Sequence, residues 1–324
     1  VDYSSDENQV MALVTEGRQK TRVGDGVLIV NKEAGWTSHD VVAKVRGLLG
    51  GVKVGHAGTL DPAATGVLPL LIGKATRVAE YLVGWDKEYR AVLRLGETTD
   101  TQDATGTVLQ QVETAGVSAD ILDAVVARFR GPQKQMPPMY SAVKVAGRPL
   151  YKSARAGETV ERAERDIVIH ELEVTAVDGR DIALRIVCSK GTYIRTLCAD
   201  MGQALGVGGH LLSLERTRVG SLTIEQGLTV EQIAAHVTIG SIESVLLTLD
   251  RVLAQLPLVT VTTEQAVRVL HGAPIGLPYD LSPTLLPIRL KDEQGRLLAI
   301  GTYDGQGTGA VRIDKVLVDS ESLN

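Results

Sequence analysis

The chain has 324 residues, 44% hydrophobic and 23% charged, enough for one large core and a smaller second one in an ordinary globular protein. Aromatic residues make up 3% with a single Phe, so the core has to be built from Val, Leu, Ile and Ala. Two cysteines exclude a disulfide framework and point to the cytoplasm, no apolar run reaches the roughly 18 residues of a membrane span, and the N-terminal stretch lacks a signal-peptide core.

In chain order, residues 1–24 are polar and aperiodic, which predicts a mobile N-terminal extension. Residues 26–31 read as a first strand. Ser38 is placed to cap a helix over 39–49, where Val41, Val42, Val45 and Leu48 follow helical spacing. A glycine-rich loop covers 50–66, and 75–83 reads as helix. Residues 88–95 alternate, with Tyr89, Ala91, Leu93 and Leu95 on one face of a strand. A helix over 120–130 precedes a stretch, 133–157, with prolines, a short strand and a helix near Tyr151. Residues 165–177 and 181–188 read as strands paired across Asp178-Gly179-Arg180. Thr192 is placed to cap a helix running to Leu205, since Ile194, Leu197, Met201 and Leu205 recur at helical spacing. A strand over 210–217 and two helices over 230–236 and 242–254 complete a first domain, 25–256. Beyond Pro257, turns at Gly272, Pro274, Gly276, Pro278, Pro283 and Pro287 predict a small, mostly β module over 257–324.

The net charge of −5 argues against nucleic acid as a partner, but its distribution does not. Residues 124–157 hold Arg128, Arg130, Lys134, Lys144, Arg148, Lys152 and Arg155 and no acid, and 182–199 hold Arg185, Lys190 and Arg195, again without an acid. Such local positive fields can track a phosphate backbone; they equally suit a solvated face.

The most informative segment is Gly55-His56-Ala57-Gly58-Thr59-Leu60-Asp61-Pro62 and its continuation to Gly66. Glycines allow close approach of backbone to a ligand, and Pro62 pushes Asp61 out of helical geometry, so a carboxylate stands on a shaped loop. An Asp-Pro pair that merely starts a turn is the plainer alternative. A phosphate-binding loop is excluded: six residues separate Gly66 from Gly73-Lys74 where four are needed, and Ala75 follows the lysine. The six histidines show no metal-ligand spacing, so no metal is expected.

These residues resemble the catalytic loop of the TruB family of tRNA pseudouridine synthases. The resemblance runs on through Gly73-Lys74-Ala75-Thr76, Lys87-Glu88-Tyr89, Gly96-Glu97-Thr98-Thr99-Asp100-Thr101, Pro137-Pro138-Met139-Tyr140-Ser141-Ala142-Val143-Lys144 and Ser189-Lys190-Gly191-Thr192-Tyr193-Ile194-Arg195. It implies a mixed α+β fold with a large, mainly antiparallel sheet around an RNA-binding cleft, and isomerisation of uridine 55 in the T-arm loop of tRNA without cofactor. By the same resemblance Asp61 is the catalytic carboxylate, Arg195 its partner, and Tyr89 the ring that stacks on the target uracil. Tyr193 is a second pocket tyrosine, Leu214 closes the pocket, and His56 fills the gap left by the flipped nucleotide. Lys32 opens a block similar to the family's Lys-Pro-x-Gly-x-Thr-Ser element, with Glu33 in place of the proline and hence without its fixed φ. Residues 139–157, within an insertion of about 133–165, resemble the bacterial RNA-gripping element, with Lys144, Lys152 and Arg155 facing phosphates. Its presence implies a stand-alone enzyme, with no obligatory protein partner, where guide-RNA-dependent relatives shorten it; a monomer is expected. The tail is similar to a PUA-type RNA-binding module.

Overall fold

The computed structural model describes residues 23–141, 143–145, 147–158, 160–277, 287–304 and 309–318. Most of the expected N-terminal extension, and Pro278 and Pro283 in the tail, lie outside the described residues. The first strands are β1 (Gly26–Lys32), β2 (Val54–His56) and β3 (Thr65–Ile72), with helix α1 (Ser38–Leu48) between β1 and β2. A 3-10 turn (Gly73–Val78) and α2 (Ala79–Val83) lead to β4 (Lys87–Leu95), the small hairpin β5 (Glu97–Thr99) and β6 (Val108–Gln111), and α3 (Ala119–Arg128). Then come β7 (Gly131–Gln135), the short pair β8 (Lys144–Val145) and β9 (Arg148–Pro149), α4 (Leu150–Arg155), β10 (Arg165–Asp178), β11 (Asp181–Cys188), α5 (Ile194–Ala204), β12 (Gly209–Val219) and β13 (Leu222–Thr223). Helices α6 (Val230–Thr238) and α7 (Leu249–Val252) follow. The last part holds β14 (Leu258–Thr260), α8 (Thr263–Leu270), β15 (Ile275–Gly276), β16 (Pro287–Lys291), β17 (Leu297–Asp304) and β18 (Ala310–Val316).

The chain is thus mixed α/β. Its large sheet has nine strands, ordered β1-β3-β12-β4-β11-β10-β7, with β2 on β3 and β13 on β12. Its pairings are antiparallel except β3 with β12, where Glu215 stands beside Thr65 and Arg216 beside Gly66. Strand alternation sorts the apolar residues. Val27 and Ile29 of β1 enter one core, with Val67 and Leu71 of β3, while Leu28 and Val30 enter another, with Leu68, Leu70 and Ile72. β3 is buried on both faces, which explains its unbroken apolar run. A third core joins Tyr89, Ala91 and Leu93 of β4 to Leu122 and Val126 of α3 and to Leu197 and Met201 of α5. The small module is a five-stranded sheet, β14-β16-β17-β18-β15, closed by Ala266 and Val269 of α8. No helix among the described residues is long and apolar enough to cross a membrane.

Several local expectations are corrected, and the tail, mostly β as expected, gains one helix. The cap of α1 is Thr37: its hydroxyl accepts from the Asp40 N–H at 3.1 Å while Asp40 Oδ2 accepts from the Thr37 N–H at 3.0 Å, a capping box that leaves Ser38 free for another task. Helix α5 has no side-chain cap of its own; Thr192 donates instead to the Ser189 carbonyl at 3.0 Å. Gln135 of β7 reaches across, accepting from the Tyr193 N–H at 2.8 Å and donating to the Tyr193 carbonyl at 3.0 Å. The segments expected as single helices over 75–83 and 242–254 each divide into a 3-10 turn and a short helix. The tail contains α8, whose Thr262–Gln265 capping box is a helix signal that its many Gly and Pro residues obscure.

Candidate active site

Asp61 stands between β2 and β3 on a loop held along its backbone. From α1, the buried Ser38 hydroxyl donates to the Leu60 carbonyl at 3.1 Å and accepts from the Leu60 N–H at 2.9 Å. From the end of β1, Lys32 Nζ donates to the carbonyls of Trp36 at 2.8 Å, Glu33 at 3.0 Å and Pro62 at 3.1 Å. From β12, Arg216 donates through Nε to the Val67 carbonyl at 2.7 Å, through Nη2 to Gly58 at 3.0 Å and through Nη1 to Thr59 at 3.4 Å. At the exit of the loop Gly66 has φ +97, and a Cβ there would lie 2.2 Å from the Arg216 carbonyl. The parallel β3–β12 contact therefore requires glycine at this position.

Onto this loop α5 brings Arg195. Its Nε lies 2.9 Å from Asp61 Oδ2 and 3.7 Å from Asp103 Oδ2. Its Nη1 donates to the Thr101 carbonyl at 3.1 Å and its Nη2 to the Tyr140 carbonyl at 2.8 Å. The guanidinium is 5% exposed and the carboxylate 43%, so a fixed cation presents a reachable anion. Asp103 is itself held by the hydroxyls of Thr101 at 2.7 Å and Thr105 at 2.6 Å. The strained hinge between them is Gln102, with φ +63, whose side-chain carbonyl accepts from the Thr196 hydroxyl at 2.9 Å.

Asp61 and Arg195 open into a cleft of about 660 Å³, also lined by Tyr89, His56, Tyr193 and Leu214. That volume lies in the range of small-molecule sites. Tyr89 is 8% exposed and serves both as core and as cleft wall. Burial pushes its phenol up to about 12, against the opposing charge of Arg216, which stands directly across from it on β12. His56 packs edge-on against His39, ring centroids 5.5 Å apart, and its buried Nδ1 has no hydrogen-bond partner. Burial, with the charges of His39 and Arg216, holds it below the usual histidine range, hence neutral near pH 7.

The structure thus brings Asp61, Arg195, Tyr89, His56, Tyr193 and Leu214 to one cleft. Lys32 differs: it is fully buried behind the loop, and desolvation lowers its ammonium to about 8 while the Asp61 charge opposes the shift. It supports the loop and is walled off from the cleft. Lys144 lies on β8 and Lys152 and Arg155 on α4, but their side chains lie outside the described residues. Elsewhere in the basic run, Arg130 donates to the Leu172 carbonyl at 2.7 Å and Arg148 pairs with Glu158 at 2.8 Å.

Sequence reasoning missed Arg216, Ser38 and Gln135. A charged residue two positions from Leu214 on a strand was the available signal for Arg216. Two β-bulges in β12, between Leu211 and Ser213 and between Arg216 and Arg218, break the alternation that would have read it as inward. Lys87 was also missed as a wall residue. It is buried, donates to the carbonyls of Val83 at 2.7 Å and Trp85, and is pushed down to about 8, chiefly by burial.

Residues 46–194 match the family model described as the TruB family pseudouridylate synthase N-terminal domain, and 195–256 match the tRNA pseudouridylate synthase B C-terminal domain. A tRNA pseudouridine synthase B from Ectopseudomonas mendocina (strain ymp) is 43% identical over 305 residues, covering 93% of this chain and 98% of that protein. One from Thermobifida fusca (strain YX) is 45% identical over 288 residues, covering 86% and 94%. Among solved structures, a Cbf5-Nop10-Gar1 complex is similar with a TM-score of 0.74 at 28% identity, over 91% of this chain and 86% of that one. An H/ACA RNP bound to a substrate RNA containing 2'-deoxyuridine is similar with a TM-score of 0.70 at 27% identity, over 90% and 85%.

Proposed function

The chain belongs to the TruB family of pseudouridylate synthases, and from that membership we propose that it converts uridine 55 in the T-arm loop of tRNA to pseudouridine, with Asp61 as the catalytic carboxylate. The observation that carries the reading is the ion pair of Asp61 with Arg195, 2.9 Å long, in a cleft also lined by Tyr89.

A uridine stacked in an RNA loop cannot reach that carboxylate, so it must be flipped out, at a cost of a few kcal/mol. The neutral, flat ring of His56, which lines the cleft, can restack in the gap and offset part of that cost. Tyr89 offers its face to the extruded uracil, and base–aromatic stacking contributes about 1–3 kcal/mol. A carboxylate nucleophile divides one difficult step into two easier ones, and Arg195 keeps it aimed. The bond from N1 to ribose C1′ breaks, the base turns, and C5 bonds to C1′; C5 gives up a proton and N1 gains one. Reactant and product are isomers, so the reaction draws on no redox partner and no transferred group.

The element from β8 to α4 supplies the grip on the T-arm, and the C-terminal β module, read as PUA-type, extends the RNA surface. With that insertion present the enzyme works without an obligatory protein partner; it is read separately as a monomer, and its two unpaired cysteines suit the cytoplasm. The test is a bare tRNA transcript treated with the purified chain, with pseudouridine mapped by mass spectrometry. Modification is expected at position 55, and Asp61→Asn is expected to abolish it while tRNA binding persists. Modification that survives Asp61→Asn would falsify the catalytic assignment, and a transcript left unmodified until other proteins are added would refute stand-alone action.

A further inference from the structure

Arg216 heads the fully buried side chains by volume, yet no carboxylate among the described residues pairs with its guanidinium. Other arginines around the site differ. Arg195 of α5 meets Asp61, and on the sheet Arg218 meets Glu88 and Arg185 meets Glu88, Glu171 and Glu173. Arg216 donates to three neutral carbonyls and interacts with the phenol of Tyr89, while its charged neighbours Lys32 and Lys87 share its sign. A buried cation without a counterion is costly, and arginine does not shed its proton to escape the cost. Neutral donors could hold the carbonyls of Gly58, Thr59 and Val67, so the charge itself requires a reason. Arg216 lines the cleft, and its register partner Tyr89 carries the ring on which the base would lie.

We propose that Arg216 is a positioning residue for negative charge: acting through the Tyr89 hydroxyl, it stabilises the uracil at the moment the base becomes anionic. The inference rests on the reading of the cleft given above, but not on which atom Asp61 attacks. If the carboxylate attacks C1′, the electron pair of the N1–C1′ bond leaves with the base. If a C2′ proton is removed, the same pair leaves and the sugar keeps a C1′–C2′ double bond. If the carboxylate adds to C6, the C5–C6 electrons move out to O4. Each route places one negative charge on uracil. It is discharged when C5 bonds to C1′, the C5 proton departs and N1 takes one up, with Asp61 released and any C2′ proton returned. A fixed cation in a water-poor site is suited to a charge that exists only during reaction.

The experiment compares single-turnover rates at saturating tRNA for the wild type, Arg216→Lys and Arg216→Met. The target position carries uridine or 4-thiouridine, whose sulfur bears negative charge more readily while the C5–H stays in place. Arg216→Met is expected to lose about 10²–10³-fold, the range found for removed transition-state donors. Arg216→Lys, which keeps the charge, should lose about tenfold or less. Affinity for the tRNA should stay within about threefold, as for an interaction made only in the transition state. The Arg216→Met loss should shrink at least about fivefold on 4-thiouridine, because that base needs less help. Equal losses on both substrates, or equal losses for Lys and Met, would reduce Arg216 to a tie for the loop and overturn the proposal. If Arg216→Met does not fold, Tyr89→Phe carries the same test, since it removes only the hydroxyl through which Arg216 acts. A wild type that makes no pseudouridine at all would instead overturn the reading of the cleft.

Discussion

Ser38 and Leu60 exchange two hydrogen bonds across 22 residues of sequence: the hydroxyl donates to the Leu60 carbonyl at 3.1 Å and accepts from its N–H at 2.9 Å. The side chain next to the helix cap is thereby the clamp on the residue next to Asp61. In Ser38→Ala both backbone groups of Leu60 lose their partner in a buried site, and buried unpaired polar groups cost about 1–3 kcal/mol. Urea unfolding should show a loss of that size. Single-turnover modification should slow about tenfold through misplacement of the carboxylate. A variant as active and as stable as wild type would mean that the clamp is redundant with the ties from Lys32 and Arg216.

Arg195 distributes its donors among Asp61, the Thr101 carbonyl and the Tyr140 carbonyl. A lysine would offer one compact ammonium where a planar fork now reaches in three directions. Arg195→Lys should therefore lower turnover by about 10²-fold or more, with tRNA affinity nearly unchanged, because what is lost is aim and not uniform binding. A kcat/KM loss arising wholly from KM would contradict this account.

Much of this site could be read from the residues themselves. Asp61 and Arg195 sit in long blocks whose order along the chain matches the family, and the strand alternation around Tyr89 was correctly read as one buried face. What could not be read were long-range pairings. Thr37 and Ser38 are equally able caps, and only Asp40, at the right distance to answer Thr37, decides between them. The partner of Ser38 lies across a loop that carries no periodicity. The parallel contact of β3 with β12 joins segments far apart in sequence, and the bulges in β12 remove the alternation that would have exposed Arg216 as inward-facing.

Gly66 marks that parallel contact. With φ +97 and a hypothetical Cβ 2.2 Å from the Arg216 carbonyl, Gly66→Ala has both a strained backbone and a collision with main chain that cannot swing aside. The strain alone is of order 1–3 kcal/mol, and the collision adds to it. The variant should unfold at markedly lower denaturant than wild type and lose modification activity together with stability. Wild-type thermal stability in Gly66→Ala would show that β3 and β12 can separate without consequence.

Lys32 predicts a pH dependence with opposite signs for stability and activity. Its folded ammonium is lowered from 10.5 to about 8. Below about 8 both states hold the proton, and the buried charge weighs constantly on the folded state. Between about 8 and 10.5 the unfolded chain holds a proton that the folded one has released, so this group makes stability rise with pH there. Relative to Lys32→Met, wild type should gain stability across that window in denaturant titrations. Activity should fall over the same window, because a neutral amine has two N–H donors for the three carbonyls of Glu33, Trp36 and Pro62. The Pro62 bond is the longest, and releasing it loosens the residue beside Asp61. A pH–rate profile with no alkaline limb near 8, or the same limb in Lys32→Met, would remove Lys32 from this role.

The basic run makes a prediction about salt. Arg130 is committed to the Leu172 carbonyl and Arg148 to Glu158, whereas Lys144, Lys152 and Arg155 belong to the element assigned to gripping RNA. Each phosphate contact on a duplex contributes about −0.9 to the slope of log affinity against log salt. Replacing Lys144, Lys152 and Arg155 together by glutamine should flatten that slope by about two to three, with the loss of affinity largest at low salt. Arg148→Gln should leave it nearly unchanged, since its charge is already met by a carboxylate 2.8 Å away. Filter-binding titrations of the T-arm hairpin from low to physiological salt distinguish the two. A triple variant with the wild-type slope would make the run a solvated face, and the grip on the RNA would have to be sought around Arg165 and Lys190 along the cleft wall.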